Sequence, residues 1–162
     1  MDVQISSEQS VKITPHDTRY LFVLPFSTDH ALARHFMVSE REMAGNIRFG
    51  KLLETLDKVA ENTALAYVNR FYPDARVVTA AIDNIVVRNP ADTMHDLVFS
   101  AQINHVGRSS LEVGIRVEHL GARACHVATC YFTMVARSTD CGEARSLALP
   151  PLVYSEDIDK KR

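Results

Sequence analysis

Two side chains near the middle of the chain have the types that carbonyl chemistry needs. Asn46 lies in a glycine-punctuated turn, Gly45-Asn46-Ile47-Arg48-Phe49-Gly50, and Asp57 follows eleven positions later in a helix-like segment. A helix that starts near this turn presents unpaired N–H groups and the positive end of its dipole. A carbonyl oxygen gathering negative charge would be stabilised there. Asn46 adds an amide that can donate to that oxygen or orient a water. Asp57 offers the carboxylate of a general base or a nucleophile. Both residues also have plainer readings. Asn46 after a glycine is an ordinary turn residue or helix cap. Asp57 beside Lys58 is an ordinary solvated helix position. Turn and helix hold the two roughly 10 Å or more apart, so one chain does not easily bring them together.

Other candidates surround this pair. Gly50, at the helix entry, permits a ligand to approach the backbone closely, and Lys51 places a cation beside it. Arg108, Ser109 and Ser110 follow Gly107; an arginine and a hydroxyl there suit a phosphate, and equally suit a polar hairpin turn. His95, His105, His119 and His126 show no metal spacing of the HExxH kind, so core or surface histidines are the default. There is no GxSxG elbow and no phosphate-binding P-loop. Cys125, Cys130 and Cys141 are an odd number without CxxC spacing, which reads as reduced thiols rather than a disulfide framework.

The elements that must position these residues follow from periodicity. The stretch Ala44–Phe71 organises the chain. Within it Leu52, Leu53, Leu56, Val59, Ala60, Thr63, Ala64, Tyr67 and Val68 recur at helical spacing and form one apolar stripe. No glycine or proline interrupts Lys51 to Tyr72, and Pro73 is expected to stop the helix. Ahead of it, Tyr20–Leu24 reads as a strand or a buried loop. His30–Val38 follows a Ser-Thr-Asp that could cap a short helix, but the shared parity of Leu32, Arg34, Phe36 and Val38 favours a strand. Behind it, Arg76–Arg88, Asp96–Val106, Ser109–Leu120 and Ala124–Arg137 are strands, by β-branched content or by alternation. Short turns between neighbours imply antiparallel hairpins, and the apolar helix face should cover the sheet.

A chain of 162 residues suits a single domain, with residues 1–17 and 155–162 as mobile tails. A net charge of -2 argues against a nucleic-acid partner. No apolar run is long enough to cross a bilayer, and the N-terminus lacks the pattern of a signal peptide, so a cytoplasmic protein is expected.

These elements and motifs together resemble the hotdog fold, an α+β architecture in which a curved antiparallel sheet wraps a long central helix. The helix entry Gly45-Asn46-Ile47-Arg48-Phe49-Gly50 with Asp57 is similar to that of the acyl-CoA thioesterases of this fold. So are Thr79-Ala80-Ala81-Ile82-Asp83, Met94-His95-Asp96-Leu97-Val98, the segment Val106-Gly107-Arg108-Ser109-Ser110-Leu111-Glu112-Val113, and Phe132-Thr133-Met134-Val135-Ala136. Two departures stand out: Lys51 and His95 occupy positions where the family has glycines. The resemblance implies hydrolysis of an acyl-CoA to free acid and coenzyme A without a metal or other cofactor. It implies Asn46 and Asp57 as the catalytic pair, contributed by different subunits of a homodimer or a dimer-based tetramer or hexamer. Gly50, Lys51, Arg108, Ser109 and Ser110 are then the substrate-binding candidates. The alternative is a hotdog module that binds acyl thioesters without cleaving them, motivated by Lys51. A dehydratase of the same fold would want a histidine at the helix entry, and none is there.

Overall fold

The computed structural model describes residues 12–38, 45–121, 125–138 and 145–154. Its centre is the long helix. A 3-10 turn (Pro15–Thr18) leads to strand β1 (Tyr20–Leu24) and a short helix α1 (His30–Phe36). The long helix α2 (Phe49–Val68) follows, then strands β2 (Arg76–Val87), β3 (Asp96–Val106), β4 (Ser110–Leu120) and β5 (Cys125–Arg137). The strands form one antiparallel sheet in the order β1-β3-β4-β5-β2. Helix α2 packs on β1 to β5 of this sheet, which is the hotdog arrangement.

The stripe expected from spacing is the face that packs. Leu52, Leu56, Val59, Ala60, Thr63, Ala64, Tyr67 and Val68 are buried, while Leu53 is partly buried against the same core. Opposite them lie Leu97, Phe99, Ala101 and Ile103 of β3, Leu111, Val113, Ile115 and Val117 of β4, and Phe132 and Met134 of β5. Removing a leucine-sized side chain from water contributes about 1.5–3 kcal/mol, so this layer dominates the fold's stability. The helix ends at Val68, with Asn69 as its C-cap, several residues before Pro73. The chain then leaves through hydrogen-bonded turns, Arg70 N–H to Tyr67 O and Tyr72 N–H to Val68 O.

Two expectations change and one open reading is decided. His30–Phe36 is a helix rather than a strand. Asp29 caps it by accepting from Leu32 N–H at 2.9 Å, and Ala33 and Phe36 turn inward at helical spacing. The cap outweighed the alternation. The Tyr20–Leu24 run is an edge strand paired with β3, which makes the sheet five-stranded. The end of the polar lead-in is built into the molecule. Ile13 is buried and accepts from Val153 N–H, and the Thr18 hydroxyl accepts from Ile103 N–H. The outer tails, Ala44 and Cys141 lie outside the described residues.

Candidate active site

The turn before α2 is held from two sides. Val38 N–H donates to Asn46 O and Arg48 N–H to Phe36 O, tying the turn to the end of α1. Thr93 N–H donates to Gly45 O at 2.7 Å and Ile47 N–H to Ala91 O at 3.4 Å, tying it to the loop between β2 and β3. Gly45 has φ of 97°, a left-handed conformation that an L side chain rarely adopts, so the glycine is needed for this turn. Arg48 is the N-cap of α2, and its side chain makes no capping hydrogen bond. Its Nε instead donates to Met37 O at 2.7 Å. The first N–H groups of α2 therefore receive no cap from the N-cap side chain, and free N–H groups are what a carbonyl-binding helix end needs.

Beside this entry lies a cavity of about 280 Å³ lined by Val38, Asn46, Ile47, Phe49, Leu52, Val87, Pro90, Ala91 and Val127. Asn46 is the polar side chain in an otherwise apolar lining, a plan suited to an apolar group ending in a hydrogen-bonding head. Gly50 adjoins it, and a Cβ built there would meet nothing within 4 Å, so close packing does not demand glycine at this position. Lys51 points away into an ion pair with Glu54 at 3.0 Å.

Asp57 stands two turns further along α2, about 12 Å from the helix start. Its Oδ1 accepts from the Thr79 hydroxyl at 2.6 Å. Thr79 lies in β2, next to one of two bulges that interrupt the pairing of β2 with β5. Bulges re-aim side chains, and this one accompanies the turn of Thr79 toward the helix. Arg108, Ser109 and Ser110 form the β3–β4 turn, with Gly107 N–H donating to Ser110 O. That turn lies at the Thr79 end of the sheet, because Ser110 pairs with Val135 and Val135 with Val78. Asn46 and its cavity lie at the opposite end, beside Val87 and Val127. The candidate residues of one chain thus fall into two separate groups. Asn46 and the helix entry make one, and Asp57, Thr79 and the Arg108–Ser110 turn make the other.

A second cluster escaped sequence reasoning. Asp92, His95 and His119 bring one ligand atom each within 4.8 Å of one another. Burial pushes the His119 imidazolium below the usual histidine range; the Asp92 carboxylate pulls it up and His95 pushes it further down. The Asp92-to-His95 spacing of three was the local signal, but His119 arrives from β4 and only the fold supplies it.

The sequence of residues 52–126 matches the Thioesterase superfamily. The fold is the hotdog of its structural neighbours. A hop (Humulus lupulus) protein named acyl-coenzyme A thioesterase 2, chloroplastic, is 30% identical over 139 residues, 81% of this chain. The hotdog chain spans 31% of that protein's length. An acyl-CoA hydrolase from Staphylococcus aureus, solved with butyryl coenzyme A and coenzyme A, superposes with a TM-score of 0.68 at 21% identity. The alignment covers 91% of this chain and 80% of that one. The same enzyme has been solved as variants at an aspartate, a threonine and an asparagine. A hexameric acyl-CoA thioesterase superposes with a TM-score of 0.68 at 24% identity, covering 93% of this chain and 86% of that one. Among the described residues no helix is long and apolar enough to cross a membrane.

Proposed function

We propose that the chain hydrolyses an acyl-CoA thioester to a free acid and coenzyme A in a site completed by two copies. The observation that carries this is the separation of the two groups along β2. Strand β2 is one of the two outer strands of the sheet, and Val78, Ile82 and Val87 are exposed on it. Thr79 and Val87 lie about 25 Å apart along such a strand. If two copies pair their β2 edges antiparallel about a two-fold axis near the strand centre, the Thr79 end of one meets the Val87 end of the other. Asp57 of the partner subunit then approaches Asn46, and an exposed strand edge is covered. The hexameric assembly of one structural neighbour supports association, and the coenzyme A complexes of another support the substrate class.

In this reading the acyl group enters the apolar cavity and its carbonyl oxygen faces the first N–H groups of α2 and the Asn46 amide. Asp57 of the partner subunit removes a proton from water as the water attacks the carbonyl carbon. The resulting oxyanion is held by the helix end. Collapse breaks the C–S bond, and the thiolate of coenzyme A takes up a proton. Thr79 occupies Oδ1 of Asp57 and leaves the second carboxylate oxygen for the water. Arg108, Ser109 and Ser110 come with Asp57, and in this reading they receive the coenzyme A phosphates. Each step uses the chain's own groups, so no metal or other cofactor is part of the proposal. The unpaired thiols of Cys125 and Cys130 fit a reducing compartment, and a cytoplasmic setting is part of the same reading.

An acyl-CoA panel of increasing chain length, read by release of free thiol, tests the proposal. Release is expected with acyl groups small enough for a cavity at the lower end of ligand-site volumes. Binding of every acyl-CoA without release would replace hydrolysis with a binding role.

A further inference from the structure

A second site lies behind the helix entry. Asp92 sits in the loop between β2 and β3, His95 one residue before β3, and His119 near the end of β4. His95 Nδ1 is 3.0 Å from Asp92 Oδ1, and His119 Nε2 is 3.8 Å from Asp92 Oδ2. The two imidazole rings have centroids 5.3 Å apart. Asp92 is oriented by its own loop, since its Oδ1 also accepts from Met94 N–H at 2.9 Å and His95 N–H at 3.2 Å. Its second oxygen is left toward His119. His119 Nε2 accepts a long hydrogen bond from the Asp92 N–H at 3.4 Å, so this nitrogen is the unprotonated one, and a metal bound to it would replace that contact. A tetrahedral ion with bonds of about 2.0–2.2 Å needs ligand atoms roughly 3.3 Å apart. The three ligand atoms already lie within 4.8 Å of one another, close to that spacing.

We propose that Asp92, His95 and His119 bind one divalent transition-metal ion of the zinc class, with a fourth position open to water. Two imidazoles and a carboxylate are the donor set that zinc takes in sites with three protein ligands, and they favour it over a hard cation such as magnesium, which prefers oxygen. A purely structural histidine–aspartate cluster would need only the Asp92–His95 contact. Here a nearly buried histidine from another strand is aimed at the same carboxylate.

The ion would clamp the loop that supports the helix entry. Asp92 pairs with Asn46 in an isolated backbone bridge, and Thr93 N–H holds Gly45 O. Fixing Asp92 to His119 therefore ties the Asn46 turn to β4. This inference stands apart from the thioesterase reading, because its test measures binding and stability and no turnover.

The full chain, free of any affinity tag and dialysed against chelator, is titrated with ZnCl2 by calorimetry. One ion per chain is expected, with a rise in melting temperature on addition of zinc. Loss of an outer partner alone weakens metal sites about 10–100-fold, so losing a ligand should cost about 100-fold or more. His95→Gly is the informative variant, because His95 is exposed and its removal leaves the core intact. Asp92→Asn and His119→Gln should behave alike. Cys125 pairs opposite His119 across β4 and β5, so Cys125→Ser is the control for thiol binding. Absence of saturable binding overturns the site. So does unchanged affinity in His95→Gly, or binding that disappears only in Cys125→Ser.

Discussion

The Thr79 hydroxyl donates to Asp57 Oδ1 across 2.6 Å and fixes a carboxylate in the middle of the long helix to an outer strand of the sheet. The hydrogen bond selects one rotamer of Asp57 and holds it against the exposed edge of β2. In the proposed reading this carboxylate serves a site that a second copy completes.

Asp57→Ala is expected to lower thiol release from acyl-CoA by about 100-fold or more, the range for loss of a general base. Size-exclusion chromatography with light scattering should show the assembly unchanged. Unaltered turnover would remove Asp57 from the chemistry.

Thr79→Val keeps the shape of the side chain and removes the donor. A hydrogen bond to a charged group contributes about 1.5–3 kcal/mol, so kcat should drop roughly 10-fold or more while KM changes little. A change confined to KM would assign Thr79 to binding instead.

Subunit sharing can be tested by mixing. Asn46→Ala and Asp57→Ala homodimers are each expected to be inactive. Random exchange makes half the dimers mixed, and each mixed dimer carries one intact site, so activity should return to about a quarter of wild type. No recovery after demonstrated exchange would place both residues' work within one subunit, or in no common site.

Leu56 is fully buried on the packed face of α2. Leu56→Ala should cost about 2–5 kcal/mol, measured as a shift in the urea midpoint. A small shift would mean that the sheet closes over the space left.

Burial pushes the Cys130 thiol up from its ordinary 9.0 to about 12. The folded state then holds a proton that the unfolded chain has lost between those values. Cys130 should therefore leave stability untouched below about pH 9 and reduce it by up to about 1.4 kcal/mol per pH unit above. The slope difference between wild type and Cys130→Ala in alkaline urea titrations isolates this effect. Parallel slopes would show that the thiol ionises as freely folded as unfolded.

Much of this molecule was legible as local pattern. The stripe from Leu52 to Val68, the alternation in Asp96–Val106 and Ser109–Leu120, and the glycine turn before α2 each encode their structure within a few residues. Side-chain period and turn geometry are near-neighbour properties. His30–Phe36 was misread because parity and capping made rival local claims, and the hydrogen bond from Leu32 to Asp29 decided between them.

Sequence alone determined one long amphipathic helix, four antiparallel strands behind it, and the presence of Asn46 and Asp57 on the same segment. Tertiary structure decided what those residues face. Thr79 reaches Asp57 across 22 positions, and His119 reaches Asp92 across 27. No local rule fixes such pairs, because they depend on strand order, on the bulges in β2 and on where α2 settles across the sheet. A chain's periodicity says which side of an element is apolar; only packing says which distant side chain stands opposite.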